Sequence, residues 1–254
     1  YEVVAAEDII TPDGTVRNHK GDVVDTIITD ENGIAMSCEL YLGEYEVREV
    51  TAPNGMVLNP ESCFVELVYA GQNVAVTETA TSFENERQKV EISLVKSIEQ
   101  NERFDIGTNG EMKNITFGLF SAEEIVLTSG TFIPADGLIE IVSLNEDGTA
   151  TIKTDLPYGR YYVQELATDS HYKLSDAKYP IIFEYVGQDT AVVKIAVNDG
   201  KAIKNDLIYG SVSGKKVDED GNALGGAMIG LFRTDDGEFT KENALMTTTS
   251  AEDG

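Results

Sequence analysis

Lys96, Glu165 and Asn205 are the residues from which chemistry can be built in this sequence. Lys96 shares its parity with Ile92 and Leu94 in an alternating run, so its side chain is expected on the inner face of a strand. Glu165 shares the parity of Tyr161 and Val163 and is expected inside as well. Neither residue type is usually buried without a partner, because taking a charge out of water is costly. Asn205 falls in the final strand of the same stretch, where it can neighbour the first strand of a sandwich. An amine, a carboxyl and a carboxamide would then converge. Left unreacted, they make a buried salt bridge capped by an amide.

Strands are the elements that must position these groups. Ile34, Met36, Cys38 and Leu40 share one parity, as do Cys63, Val65, Leu67 and Tyr69, and again Ile181, Phe183 and Tyr185. Such alternation predicts strands with one buried face. Asn32-Gly33, Asn54-Gly55, Asp136-Gly137, Asp147-Gly148 and Asp220-Gly221 are hairpin punctuation. Few segments sustain a helical period. The expected fold is all-β, built of tandem antiparallel two-sheet sandwiches.

The sequence repeats internally. Leu42-Gly43-Glu44-Tyr45-Glu46-Val47-Arg48-Glu49 matches Tyr158-Gly159-Arg160-Tyr161-Tyr162-Val163-Gln164-Glu165, an offset of 116 (49 to 165). The same offset carries Tyr1-Glu2-Val3 onto Phe117-Gly118-Leu119 and Gly71-Gln72 onto Gly187-Gln188. A third copy begins near Gly210, where Ile229-Gly230-Leu231-Phe232 repeats Phe117-Gly118-Leu119-Phe120. Three units are expected: 1–88, lacking its first strand; 89–208, complete; and 209–254, the beginning of a third. The junctions Asn85 to Lys96 and Asn205 to Lys216 each span 11 positions without a Pro/Gly/Ser-rich linker, which predicts a stiff rod.

Composition narrows the function. Across 254 residues, 19 Lys+Arg against 45 Asp+Glu give a net charge of −26, which argues against nucleic acid and against an anionic membrane face. A hydrophobic content of 41% supports packed cores. No apolar stretch approaches the ~18 residues of a membrane helix. Neither a signal sequence at Tyr1 nor a sorting tail at Gly254 is evident, so the chain reads as part of something longer. Two cysteines exclude a disulfide framework or cysteine zinc site, and two histidines make a multi-histidine metal site or a set of triads unexpected.

Tyr45-x-x-x-Glu49-x-x-Ala52-Pro53-x-Gly55 resembles the E-box of Cna-B-type, prealbumin-like (SpaA-type) repeat domains of Gram-positive surface adhesins and pilins. Lys216-Val217-Asp218-Glu219-Asp220-Gly221-Asn222-Ala223-Leu224-Gly225-Gly226-Ala227 resembles the lysine strand and first turn of the same domains. After Glu165 the second copy departs from the E-box, with Leu166-Ala167-Thr168-Asp169-Ser170-His171 in place of the Ala-Pro-x-Gly turn.

The resemblance implies an intramolecular isopeptide bond between a first-strand lysine and a last-strand asparagine, promoted by the E-box acid. Carried onto this chain, the set is Lys96, Glu165 and Asn205. Desolvation favours the neutral, nucleophilic amine. A buried carboxylic acid can hydrogen-bond the carboxamide oxygen and pass a proton to the departing ammonia, and packing supplies the effective concentration. The event occurs once per molecule, so no enzyme is implied. Glu49 and Asn85 occupy the acid and asparagine positions of the first unit, whose lysine would precede Tyr1; Lys216 fits the lysine of the third.

The function so implied is structural: a shaft segment of an adhesin or pilus, extracellular and attached to the cell wall, without cofactor or metal. An alternative is a module binding a host protein or glycan, and a third is an accessory module of a carbohydrate-active enzyme. Head-to-tail self-association is a further expectation, with Lys216 of one copy approaching Glu49 and Asn85 of the next. Cys38 and Cys63 are both expected inward, as buried thiols or one disulfide. Asp218 to Asn222 hints at a calcium loop and reads better as a hairpin turn. His19 and His171 are expected on the surface.

Overall fold

A computed structural model of the chain describes residues 1–126, 130 and 132–254. They form two compact units, Tyr1–Leu207 and Ile208–Gly254. The first unit opens with β1 (Glu2–Ala5), β2 (Ile9–Ile10), β3 (Val16–Asn18), β4 (Val23–Thr26), β5 (Gly43–Arg48) and β6 (Ser62–Leu67). It continues with β7 (Lys89–Ile98), β8 (Thr116–Ser121), β9 (Ile125–Val126), β10 (Phe132–Ile133), β11 (Leu138–Ser143) and β12 (Thr149–Ile152). It closes with β13 (Gly159–Ala167), β14 (Lys178–Phe183), β15 (Val192–Ala196) and β16 (Ile203–Asn205). The second unit contains β17 (Met228–Leu231) and β18 (Met246–Thr249), an antiparallel pair. The fold is nearly all-β, with several antiparallel sheets.

The sequence repeat is a repeat of topology and register. One sheet has the order β4-β1-β5-β6 and another β11-β8-β13-β14, the same arrangement shifted along the chain. Val3 faces Val47, and Leu119 faces Val163; Gly43 faces Leu67, and Gly159 faces Phe183. Every one of these pairs is displaced by the same 116 positions found in the sequence. Even a side-chain anchor repeats: Tyr45 donates its hydroxyl to Tyr41 O at 2.7 Å, and Tyr161 to Pro157 O at 2.6 Å.

The third large sheet, β12-β7-β15, is mixed. β7 pairs antiparallel with β12 and parallel with β15 and β16. The parallel pairings arise because the chain enters the sheet through β7 and returns to it, in the same direction, through β15 and β16. The main core joins β7 to the β8–β13–β14 face: Ile92, Leu94, Ile115, Phe117, Leu119, Ile152, Val163, Ile181 and Ile203 are all buried. Each such side chain contributes roughly 1.5–3 kcal/mol by leaving water.

Residues 1–88 have a smaller core, of Val3, Ala5, Ile9, Tyr45 and Val47. Here the sequence expectation needs correcting. Ile34 to Leu40 do not form a strand, and Met36 is 82% exposed. The alternation is present, but no neighbouring strand turns it into a sheet face. For the same reason Cys38 is exposed instead of inward, while Cys63, on β6, is half-buried; both thiols are free.

Direct contacts tie residues 50–58 to the loops of the following sandwich. Gln188 accepts from Ala52 N at 2.9 Å, donates to Val50 O at 3.2 Å, and accepts from Leu58 N through its backbone at 3.0 Å. Tyr158 donates to Gly55 O at 3.0 Å, and Arg87 pairs with Asp155 at 2.6 Å. Gln88, buried in the connection itself, donates to Gly187 O and Thr190 O and accepts from Val186 N. The short junction is thus bonded to the loops on its far side through side chains as well as backbone.

Candidate functional site

β7, β13 and β16 bring Lys96, Glu165 and Asn205 together. Lys96 follows Ile92 and Leu94 on the buried face of β7, and Glu165 follows Tyr161 and Val163 on that of β13. β16 runs parallel to β7 with Ile203 opposite Lys96, which delivers Asn205 to the end of the lysine side chain. The three residues are 2%, 3% and 2% exposed. The Phe117 ring lies 5.8 Å from the Lys96 ammonium.

Lys96 Nζ donates to Asn205 Oδ1 at 2.5 Å and contacts Glu165 Oε1 at 3.0 Å. Asn205 Nδ2 donates to Glu165 Oε1 at 2.8 Å, to Oε2 at 3.0 Å and to Thr168 Oγ1 at 2.9 Å. Ser175 N completes the carboxylate at 2.9 Å from Oε2. Burial pulls the Lys96 pKa below its ordinary value, against the opposing hydrogen bond and charge of Glu165. One carboxylate oxygen therefore touches both the amine nitrogen and the carboxamide nitrogen. That arrangement can carry a proton from one nitrogen to the other.

The sequence reading placed the carboxamide oxygen against the glutamate; the structure turns the amide the other way. A carboxylate only accepts hydrogen bonds, so the NH2 end faces Glu165 and the oxygen faces the ammonium. The turn after Glu165 forms despite its altered sequence. Tyr172 N donates to Asp169 O at 3.0 Å, just as Met56 N donates to Pro53 O at 3.0 Å. Asp169 fastens it further, receiving His171 N and contacting the exposed His171 ring.

The first copy holds two of the three groups. Glu49, 6% exposed, receives Asn85 Nδ2 at 2.6 Å and Asn59 N at 2.7 Å, both on Oε2. Its Oε1 has no hydrogen-bond partner among the described residues. The Tyr1 hydroxyl lies beside this carboxyl: burial first, then the Glu49 charge and a side-chain hydrogen bond with Glu49, raise its pKa, although no contact short and straight enough for a full hydrogen bond reaches Oε1. Tyr1 stands where the second copy has Phe117, the ring beneath Lys96. In the second compact unit Lys216 is exposed and donates to Val217 O at 3.2 Å; no acid–amide pair meets it among the described residues. Asp218 receives Asp220 N and Asn222 N, as expected of a turn. His19 is exposed beside Asp8.

Sequence reasoning missed the supporting contacts. Asn59 and Ser175 sit 116 positions apart and make the same backbone bond to the acid, a signal the repeat contained. Thr168 carried no such signal, because the matching residue is Ala52.

The site and the doubled sheet define a prealbumin-like module with a buried acid, amine and amide. The chain belongs to the SpaA prealbumin-like fold domain family, whose model matches residues 10–82 and 100–201. Among solved structures it is similar to the Bacillus anthracis TIE protein, at 18% identity and a TM-score of 0.54, over 90% of this chain and 36% of that one. It is also similar to a streptococcal ancillary pilin, at 18% identity and a TM-score of 0.34, over 100% of this chain and 77% of that one. The Corynebacterium diphtheriae major pilin SpaA matches at 16% identity and a TM-score of 0.29, over 65% of this chain and 40% of that one. The chain thus spans about a third of the length of the TIE protein. No curated protein matches. No helix among the described residues is long and apolar enough to cross a membrane.

Proposed function

We propose that the chain is a shaft segment of a Gram-positive cell-surface adhesin or pilus protein, hardened by an autocatalytic isopeptide bond between Lys96 and Asn205. The observation that carries this reading is the buried contact of Lys96 Nζ with both Asn205 Oδ1 and Glu165 Oε1. As a neutral amine, Nζ forms a bond to Asn205 Cγ. The Cγ–Nδ2 bond breaks, one Nζ hydrogen passes through the Glu165 carboxyl to Nδ2, and ammonia leaves. Glu165 is suited to that relay because its Oε1 is within 3.0 Å of both nitrogens. Family membership and the hydrogen-bonded connection at Gln88 support a load-bearing role, with the units divided at 1–88, 89–208 and 209–254 and the segment displayed outside the cell. Intact mass is the test: the wild-type chain should weigh about 17 Da less than its sequence for the Lys96–Asn205 bond, and Glu165→Ala should restore the full mass. A wild-type chain at full mass overturns the reading.

A second reading concerns the first copy. Burying a carboxylate oxygen without a full partner is unfavourable, and Glu49 Oε1, beside the Tyr1 hydroxyl, matches the Glu165 oxygen that contacts Lys96, the other oxygen of each acid receiving the equivalent backbone N–H. A lysine-bearing strand supplied from elsewhere would satisfy it. Preceding chain or a neighbouring molecule's Lys216 strand can serve, the latter giving head-to-tail assembly. Host-ligand binding receives less support: the cavity of about 560 Å3 beside Ser97, Gly107 and Lys113 has no aromatic residue in its lining.

A further inference from the structure

We propose that Thr168 is a positioning residue for the amide exchange, its hydroxyl holding the leaving nitrogen of Asn205 against Glu165. The proposal rests on the Lys96–Asn205 reading above. A carboxamide NH2 has two hydrogens lying in the amide plane, and both must be engaged if the group is to be fixed in one orientation. In the second copy one is directed at the Glu165 carboxylate and the other at Thr168 Oγ1, 2.9 Å from Nδ2. With both engaged, the amide cannot rotate its oxygen toward Glu165. The oxygen therefore stays on Lys96, and Cγ is presented to the amine.

The first copy shows what Thr168 replaces. There the matching residue is Ala52, which has no polar side chain and gives its backbone N–H to Gln188. Asn85 Nδ2 engages its second hydrogen with Val57 O at 2.9 Å instead. Each copy thus finds two acceptors for the same nitrogen, one by a backbone carbonyl and the other by a side chain. The side-chain solution has a property the carbonyl lacks. As Cγ becomes tetrahedral and Nδ2 gains its third hydrogen, a hydroxyl can rotate to keep its lone pair on the departing nitrogen. Thr168 exchanges no proton in this scheme. One Nζ hydrogen still reaches Nδ2 through Glu165, the Nζ–Cγ bond replaces Cγ–Nδ2, and ammonia departs.

The test uses the full chain, recovered unfolded in urea and refolded by dilution, with intact mass followed against time and refolding followed by tyrosine fluorescence. Thr168→Val should regain the wild-type fluorescence while losing ammonia roughly tenfold more slowly, the effect of one hydrogen bond. Thr168→Ser should return to within roughly threefold of the wild-type rate, a rescue that a mere packing role would not give. Thr168→Ala reports the same loss if the valine disturbs folding. Equal rates in wild type and Thr168→Val, or a serine variant as slow as the valine, overturn the proposal while leaving the cross-link intact. A wild-type chain that never loses ammonia overturns the underlying reading, and this one with it. Independently of folding rates, a crystal structure of the Glu165→Gln chain with Thr168 Oγ1 out of hydrogen-bond reach of Asn205 Nδ2 also overturns it.

Discussion

Lys96 Nζ and Asn205 Oδ1 lie 2.5 Å apart, although 109 residues of chain separate them. A covalent bond at this point would close a loop of that length around the main core. By analogy with a disulfide, such a closure restricts the unfolded chain by roughly 4–5 kcal/mol. Asn205→Ala should therefore lower unfolding stability by about that amount beyond the lost hydrogen bonds, as read from urea unfolding beside the intact mass. A variant as stable as wild type would mean that no bond forms.

The lowered pKa of Lys96 sets a pH dependence. Burial is its leading cause, and the amine is therefore neutral at a pH where an exposed lysine, with its ordinary value of 10.5, is still charged. The rate of ammonia loss on refolding should rise with pH and level off below 10.5. The linkage has a matching sign. Before the bond forms, the unfolded chain binds more protons than the folded one between the two pKa values, so folding gains stability as pH rises through that window. A rate that falls with increasing pH would exclude neutral Lys96 as the nucleophile.

Much of this was legible in the residues. Parity alone put Lys96 and Glu165 inside, since a period of two leaves no choice of face once Ile92, Leu94, Tyr161 and Val163 are buried. The 116-residue offset carried strand order and register as well, because equal spacing between inward residues demands equal pairing. What could not be read was anything set by a partner strand. Ile34, Met36 and Cys38 alternate as faithfully as Ile92 and Leu94, yet they stay outside because a strand buries a face only within a sheet. The amide's orientation was also invisible, being decided by the charge it faces.

A first copy that accepts a lysine-bearing strand, as proposed above, should do so through its buried Glu49–Asn85 pair. A synthetic peptide with the sequence of Lys89–Ile98 carries a lysine in the register that β7 uses against β16. Incubated with the chain, it should give an adduct whose mass is the sum of the two less about 17 Da, one ammonia. Peptide mapping should find the bond at Asn85, and Glu49→Ala should abolish it. Exclusively non-covalent or absent binding would remove the first copy as a cross-linking site for added strands.

Gln188 bonds Val50, Ala52 and Leu58 through three of its polar groups, and so clamps the turn after Glu49 to the next sandwich. Gln88 does the same from within the connection, with both of its side-chain ends engaged while almost wholly buried. Removing a partner leaves the remaining donors and acceptors unsatisfied, at a cost of about 1–3 kcal/mol where they are buried, as around Gln88, and less where water reaches them, as around Gln188. Gln188→Ala should therefore loosen the connection without unfolding either core, since neither core cluster contains it. Trypsin cleavage after Arg87 or Lys89 reports the loosening, because proteolysis follows the population of the open form. Cleavage in the Gln188 variant should be faster than in wild type, and roughly fivefold or more faster where buried Gln88 is removed, the lower end of that free-energy range. Gln88→Ala should act in the same direction and more strongly, since it strands Val186 N and removes both donors to Gly187 and Thr190. Cleavage at the wild-type rate in both variants would show that the two glutamines do not hold the connection closed.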